Sequence, residues 1–203
     1  MIIDWQVFIT MEYIRYGHNI TRYLRTDSKL PEPKAAFWFH AIANAVAYLH
    51  DDLHIAHRNL KTDNILLDGE IPKLSLAGFP IDAWDYEQNK AILVETICGT
   101  HAYKSPQLLK HTPYNPYAAD CWAMGVILFQ MITGSFPFMT PNSDRDGMVV
   151  LQTDPIYLKD AMKRFSPELA NLQRGLFAIE EEQRFTISKV LQHEWIRMHN
   201  SNG

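Results

Sequence analysis

The stretch His57-Arg58-Asn59-Leu60-Lys61-Thr62-Asp63-Asn64-Ile65-Leu66-Leu67 decides how the rest of the chain is read. Its first part is polar, with two cations, two amides and an acid interrupted by Leu60; its tail is apolar. That tail and the later Lys73-Leu74-Ser75 predict a short strand pair, with Asp68-Gly69 as the turn between them. Upstream, residues 34–50 carry Ala36, Phe37, Ile42, Val46 and Leu49 at helical spacing, which predicts a buried helix introduced by Pro31 and Pro33. The polar part is thus a loop between a buried helix and a hairpin.

Working outward, residues 5–14 are β-branched and aromatic and predict a strand, broken by Gly17-His18-Asn19. A short helix is expected over residues 20–24. Residues 80–100 lack clear periodicity and predict a long loop. Residues 118–133 are apolar at helical spacing, with Gly134 placed to cap the end. Residues 139–156 are polar and interrupted, hence loop or short helix. Two last helices are expected over 167–177 and 187–193, and then a frayed end. With no internal repeat, low-complexity tract or linker, the expectation is one domain over 1–197 and a tail over 198–203. The fold class expected is mainly α (α+β), with a few short strands.

With 203 residues, 47% of them apolar, the chain is long enough to bury a sizeable core and is not of disordered composition. A formal charge of -4 gives no reason to expect nucleic acid or an anionic membrane as partner. Cys98 and Cys121 are the only cysteines, too few for a disulfide framework and suited to a reducing compartment. Met1-Ile2-Ile3-Asp4-Trp5 has no basic start and no long apolar run, so no secretory leader is expected. No window holds the apolar run a membrane helix needs. The expected location is the cytoplasm.

The quoted stretch reads H-R-N-L-K-x-x-N and resembles the catalytic loop of eukaryotic protein kinases, H-R-D-L-K-x-x-N. Four more stretches follow in kinase order. Met11-Glu12-Tyr13-Ile14 resembles the hinge that carries the adenine of ATP. Cys98-Gly99-Thr100-His101-Ala102-Tyr103-Lys104-Ser105-Pro106-Gln107 resembles the end of the activation segment. Asp120-Cys121-Trp122-Ala123-Met124-Gly125-Val126-Ile127-Leu128 resembles the buried central helix of the large lobe. Gln183-Arg184-Phe185-Thr186 and Leu191-Gln192-His193-Glu194-Trp195-Ile196 resemble the closing motifs of calcium/calmodulin-dependent-kinase-like serine/threonine kinases. Leu60-Lys61-Thr62-Asp63-Asn64 with Ile97-Cys98-Gly99 and Tyr103 looks closest to the testis-specific serine kinases. The resemblance starts at the hinge. It implies a large lobe with a residual hinge strand, without the glycine-rich loop, strand Lys and helix Glu that hold phosphates in the family's small lobe.

The resemblance also assigns roles. Asn59 stands where the family has its catalytic base, and an amide has no basic oxygen in the useful range. Leu76, in Leu76-Ala77-Gly78, stands where the family has the Asp of D-F-G that ligates Mg²⁺; an aliphatic chain offers a hard cation nothing, and a packing role is expected for it. Lys61 and Asn64 keep the phosphate-contacting and second metal positions. Glu12, Tyr13 and Leu66 match the hinge and the adenine floor. Thr96 matches a phosphorylation position, and Arg58 matches the residue that receives that phosphate. His57 is expected as a packed structural residue rather than a metal ligand, and Asp120 as the acceptor for the catalytic-loop backbone. Gln107 replaces the family Glu that pairs with Arg184, leaving Glu180, Glu181 or Glu182 to supply the charge; Gln107→Glu is expected to raise the melting temperature.

No metal is expected, and no cofactor; ATP and Mg²⁺ belong only to the alternative in which the chain is an active kinase. The reading is a pseudokinase that binds proteins or acts as a scaffold, with an active kinase or a substrate protein as partner. The alternatives are a serine/threonine kinase of weak or partner-completed activity, and a truncated product without function.

Overall fold

The computed structural model describes residues 10–15, 17–76, 78–139 and 144–200. Asn19 ends β1 (His18–Asn19) and opens α1 (Ile20–Asp27), where its side-chain oxygen accepts from Arg22 N at 2.9 Å. Pro31 and Pro33 start α2 (Glu32–Ala47), which buries Ala35, Ala36, Trp38, Phe39, Ile42, Ala43 and Val46 on one face and ends in a π-type turn, Tyr48–Asp52. Phe37, expected on that buried face, is 48% exposed; Trp38 and Phe39 take its place. Next come β2 (Ile55–Ala56), β3 (Ile65–Asp68) and β4 (Ile71–Leu74).

The hairpin is as the sequence predicts, with Ile65 opposite Leu74 and Asp68 opposite Ile71. The hinge strand is not. Residues 5–9 lie outside the described residues, and residues 10–14 form no strand. The pairing segment is β1, where a break was expected: His18 faces Leu67 and Asn19 faces Leu66, giving the sheet order β1-β3-β4. A strand is defined by a partner's ladder of N–H and C=O groups, which side-chain composition alone does not reveal.

The segment expected as a long loop carries three short strands, β5 (Ile81–Asp82), β6 (Trp84–Asp85) and β7 (Lys90–Ala91). β5 pairs with β2, and β6 with β7. A short α3 (Pro106–Lys110), not foreseen, precedes α4 (Pro116–Thr133). Asn115 caps α4 through bonds from Tyr117 N and Ala118 N, and Gly134 ends it at φ 76, where a Cβ would collide with Ser28 O. A helix apolar on nearly every side must be surrounded. α4 accordingly buries Pro116 and every residue from Ala119 to Met131, and Trp122 lies 5.4 Å from the Phe138 ring and 5.0 Å from Phe177.

The later helices are α5 (Arg145–Thr153), which packs on α3 and α6 (Pro155–Ala161), then α7 (Pro167–Leu176), α8 (Ile187–Leu191) and α9 (Glu194–Asn200). α2 packs on α4, α8 and α9, while α7 packs on α4 and α9. The expected tail from 198 is helical through residue 200, because Trp195 is buried and His199 lies one turn on, its ring 5.6 Å away. Residues 201–203 lie outside the described residues. Among the described residues no helix is long and apolar enough to cross a membrane.

Candidate functional site

The loop from His57 to Asn64 is suspended from one buried carboxylate. Asp120, 2% exposed on α4, accepts at Oδ2 from His57 N at 2.7 Å and at Oδ1 from Arg58 N at 2.8 Å. The His50 ring, from the π-type turn, reaches the same Oδ2 through Nε2 at 3.0 Å. These bonds hold Arg58 at φ 62, a left-handed conformation that costs a non-glycine residue about 1 kcal/mol or more. Asp120 was expected as the acceptor for the catalytic-loop backbone, and these are the bonds it makes. His50 was not foreseen in that role; nothing local in its sequence marks a partner 70 residues away.

His57 is 1% exposed and is fixed at both nitrogens: Nε2 donates to Ser75 O at 2.8 Å, and Nδ1 accepts from Asn59 N at 3.2 Å. Among the described residues no three His, Cys, Asp or Glu side chains gather into a metal-holding group.

Asn59 is half-buried, and its backbone carbonyl accepts from Asn64 Nδ2 at 2.8 Å, so the Asn64 side chain braces the turn. Gly78 lies directly against it, at φ 156, and a Cβ there would meet the Asn59 Cβ at 2.8 Å. Lys61 is half-buried in the same turn, where its carbonyl accepts from Asn64 N at 3.0 Å. Leu66 pairs with Asn19 and Lys73 in the three-stranded sheet. Glu12 is tied to the sheet by Lys73 Nζ at 2.7 Å, while Tyr13 is 83% exposed.

Leu76 was expected as a packing residue and is instead 43% exposed. The reason is its place beyond the last rung of the hairpin, Ile65 opposite Leu74, after which the chain leaves the sheet. Ala77, the middle residue of that motif, lies outside the described residues. The donor set thus does not suit a nucleotide's divalent cation. Asn64 offers one neutral oxygen and Leu76 none beyond its backbone.

Arg58 and Thr96 are brought together, through the backbone. Arg58 Nη2 donates to Thr96 O at 2.8 Å, and Tyr114 Oη donates to the same carbonyl at 2.9 Å. Gln107 and Arg184 also meet, with Arg184 Nη2 3.1 Å from Gln107 Oε1. The rest of the guanidinium is spent on carbonyls: Nε on Ala178 O at 2.9 Å, Nη1 on Ala118 O at 3.1 Å, Nη2 on Ile179 O at 3.0 Å. Burial holds the Arg184 pKa down to about 10. Of the three candidate acids, Glu181 is the one beside it, at 4.0 Å. Burial pushes the Glu181 carboxyl up, against the lowering effects of the Asn115 N–H and Arg184. A second unforeseen knot is Tyr103, whose hydroxyl meets Thr62 Oγ1 at 2.9 Å and donates to Gln130 Oε1 at 2.7 Å, tying the activation-segment end to the loop and to α4.

The family model described as protein kinase domain matches residues 4–196. Testis-specific serine/threonine-protein kinase 1 of Mus musculus is 32% identical over 195 residues, covering 96% of this chain and 52% of that protein. Putative CBL-interacting protein kinase 13 of Oryza sativa subsp. japonica is 32% identical over 200 residues, covering 98% of this chain and 37% of that protein. Serine/threonine-protein kinase kin-29 of Caenorhabditis briggsae is 34% identical over 206 residues, covering 98% and 23%. The chain thus spans about half the length of the first of these relatives and less of the others.

Proposed function

Because the chain belongs to the protein kinase domain family, we propose that it works as a catalytically impaired kinase homologue, a pseudokinase that binds other proteins or acts as a scaffold in the cytoplasm. The observation that carries this reading is the pair Asn59 and Leu76. One is an amide, on a residue whose backbone carbonyl accepts from Asn64, where the reaction needs a base, and the other an exposed aliphatic chain where it needs a metal ligand. Loss of a general base costs about 10²–10⁴-fold, and loss of the ion's carboxylate removes the charge that neutralises the phosphates. The fold-holding groups, by contrast, are all in place: Asp120 under the loop, His57 within it, and Arg184 under the activation-segment end.

The second reading is a serine/threonine kinase of weak or partner-completed activity, favoured by the retention of Lys61 and Asn64. A melting experiment with ATP separates the two. A ligand that binds only the folded state raises the melting temperature by mass action. The pseudokinase reading expects no Mg²⁺-dependent rise and no transfer of labelled phosphate to a generic serine/threonine substrate. A rise that requires Mg²⁺ overturns the reading of Leu76 and favours the second.

A further inference from the structure

A cleft of about 440 Å³ opens between the end of α6, the turn that follows it and α7. Its lining includes two apolar side chains, Met162 and Ala170, which are 4% and 9% exposed. Their backbones are fixed, Met162 N bonding to Leu158 O at 3.2 Å and Ala170 N to Ser166 O at 2.9 Å. The rest of the lining is charged: Lys159, Lys163 and Arg174, all exposed, and one acid, Asp160.

None of the three cations is in an ion pair or side-chain hydrogen bond among the described residues, and Asp160 is paired with none of them. Three cations against one acid leave the lining at +2. The stretch 159–174 repeats that balance, since Arg164 adds a cation and Glu168 an acid, in a chain whose net charge is -4. Like charges gathered without counter-charges repel one another, and an anion in the cleft relieves the repulsion.

We propose that this cleft docks a phosphorylated side chain of a protein partner, its phosphate among Lys159, Lys163 and Arg174 and a neighbouring apolar side chain on Met162 and Ala170. A phosphate monoester carries about -1.5 to -2 at neutral pH, which matches the lining, and it suits the arginine fork. A carboxylate would leave half the charge unanswered. Sites for free small molecules bury about 70–90% of the ligand, whereas here the cations are all exposed, so the phosphate arrives on a partner that brings contacts of its own. Nucleic acid or an anionic bilayer would meet a chain whose net charge has its own sign. Nothing in this depends on whether the catalytic loop transfers phosphate.

The test uses a fluorescein-labelled glycine-rich peptide with leucine on each side of one phosphoserine, and serine or glutamate at that position as controls. The phosphopeptide is expected to bind at least tenfold more tightly than either control. Lys163→Glu and Arg174→Glu are each expected to weaken it about tenfold, and Arg174→Lys, which keeps the charge and loses the fork, about threefold. Both positions are exposed, and melting curves establish that the variants are folded. In the parent chain the backbone amide signals of residues 159–163 and 170–174 are expected to shift on titration, and those of residues 57–64 to stay in place. Equal binding of the three peptides, indifference to both charge reversals, or shifts confined to residues 57–64 would each overturn the proposal. So would inorganic phosphate that competes at the phosphopeptide's own concentration, which would make the cleft a site for the free ion. Binding to phosphatidylserine vesicles with none to the phosphopeptide would overturn it in favour of a membrane contact.

Discussion

At position 184 a guanidinium 4% exposed to solvent is held mainly by carbonyls, and the side chain at 107 has to serve two masters there. Gln107 Oε1 accepts from Arg184, and its Nε2 donates to Ile179 O at 2.7 Å. A glutamate at 107 would supply the missing charge and lose that second bond, setting an oxygen against an oxygen. The two effects are each about 1–3 kcal/mol, so the simple expectation that Gln107→Glu raises the melting temperature does not survive the geometry. The expected shift is within about 3 °C of the parent, whereas Gln107→Leu, which abandons both bonds, should lower stability by about 2 kcal/mol, or roughly 4–8 °C for a chain of this size. A rise above that window for the glutamate would show that charge outweighs the donor. Leu76 gives the opposite kind of test. Being exposed and beyond the hairpin, it should accept Leu76→Asp within about 0.5 kcal/mol in a thermal melt. A large loss would mean the side chain packs after all, and that stability keeps the carboxylate out. The family pattern located Asp120, Arg58 with Thr96, and Gln107 with Arg184. It could not show that Leu76 is exposed, or which of three adjacent glutamates faces Arg184, because those depend on where a ladder ends and how a turn is phased.

Elements whose buried face repeats at their own period were legible: α2, α4, α7, α8 and the β3–β4 hairpin. Those defined by a distant partner were not. β1 exists because Leu66 and Leu67 offer it a ladder, and α9 runs into the expected tail as far as residue 200 because Trp195 anchors it against α2. Glu32 shows how such partners are joined. In the first turn of α2, it accepts from Ser166 N at 3.3 Å and Ser166 Oγ at 2.8 Å, the cap of α7, and from Trp195 Nε1 at 3.1 Å, on α9. Burial pushes its pKa up, but the bonds from Trp195 and Ser166 outweigh that, and the net direction is down. A carboxyl lowered in the folded state contributes stability above its ordinary value near 4.5, and that contribution fades as pH falls through the lowered value. Glu32→Gln should therefore melt lower than the parent at pH 7, by about 1 kcal/mol once solvent screening is allowed for. The gap should close as the parent is acidified below the ordinary carboxyl range. A gap independent of pH would mean that shape rather than charge holds the three helices together.

Over the whole molecule the backbone is held unevenly. Through the centre runs α4, buried from Ala119 to Met131, with α2 and α7 packed on it. Residues 84–97 are the other extreme. Their ties include one two-residue ribbon, Ile92 N to Ala83 O, and the Val94–Tyr114 bridge, while Tyr86, Ile92 and Leu93 are each at least 49% exposed. Amides in a segment with few buried contacts exchange through local opening, whereas those at the centre exchange only when the whole domain unfolds. Native-state hydrogen exchange should therefore give α4 amides from Trp122 to Met131 a single free energy equal to that from denaturant melts. Amides of 86–93 should exchange orders of magnitude faster, with Val94 and Tyr114 in between because they share a reciprocal pair of bonds at 2.9 and 3.0 Å. The loop from His57 to Asn64 should side with the centre, since Asp120 suspends it directly from α4. If that loop instead exchanged with residues 86–93, the carboxylate would not be transmitting the rigidity of α4. The large lobe would then be held by its helices alone, with the catalytic-loop stretch merely resting on them.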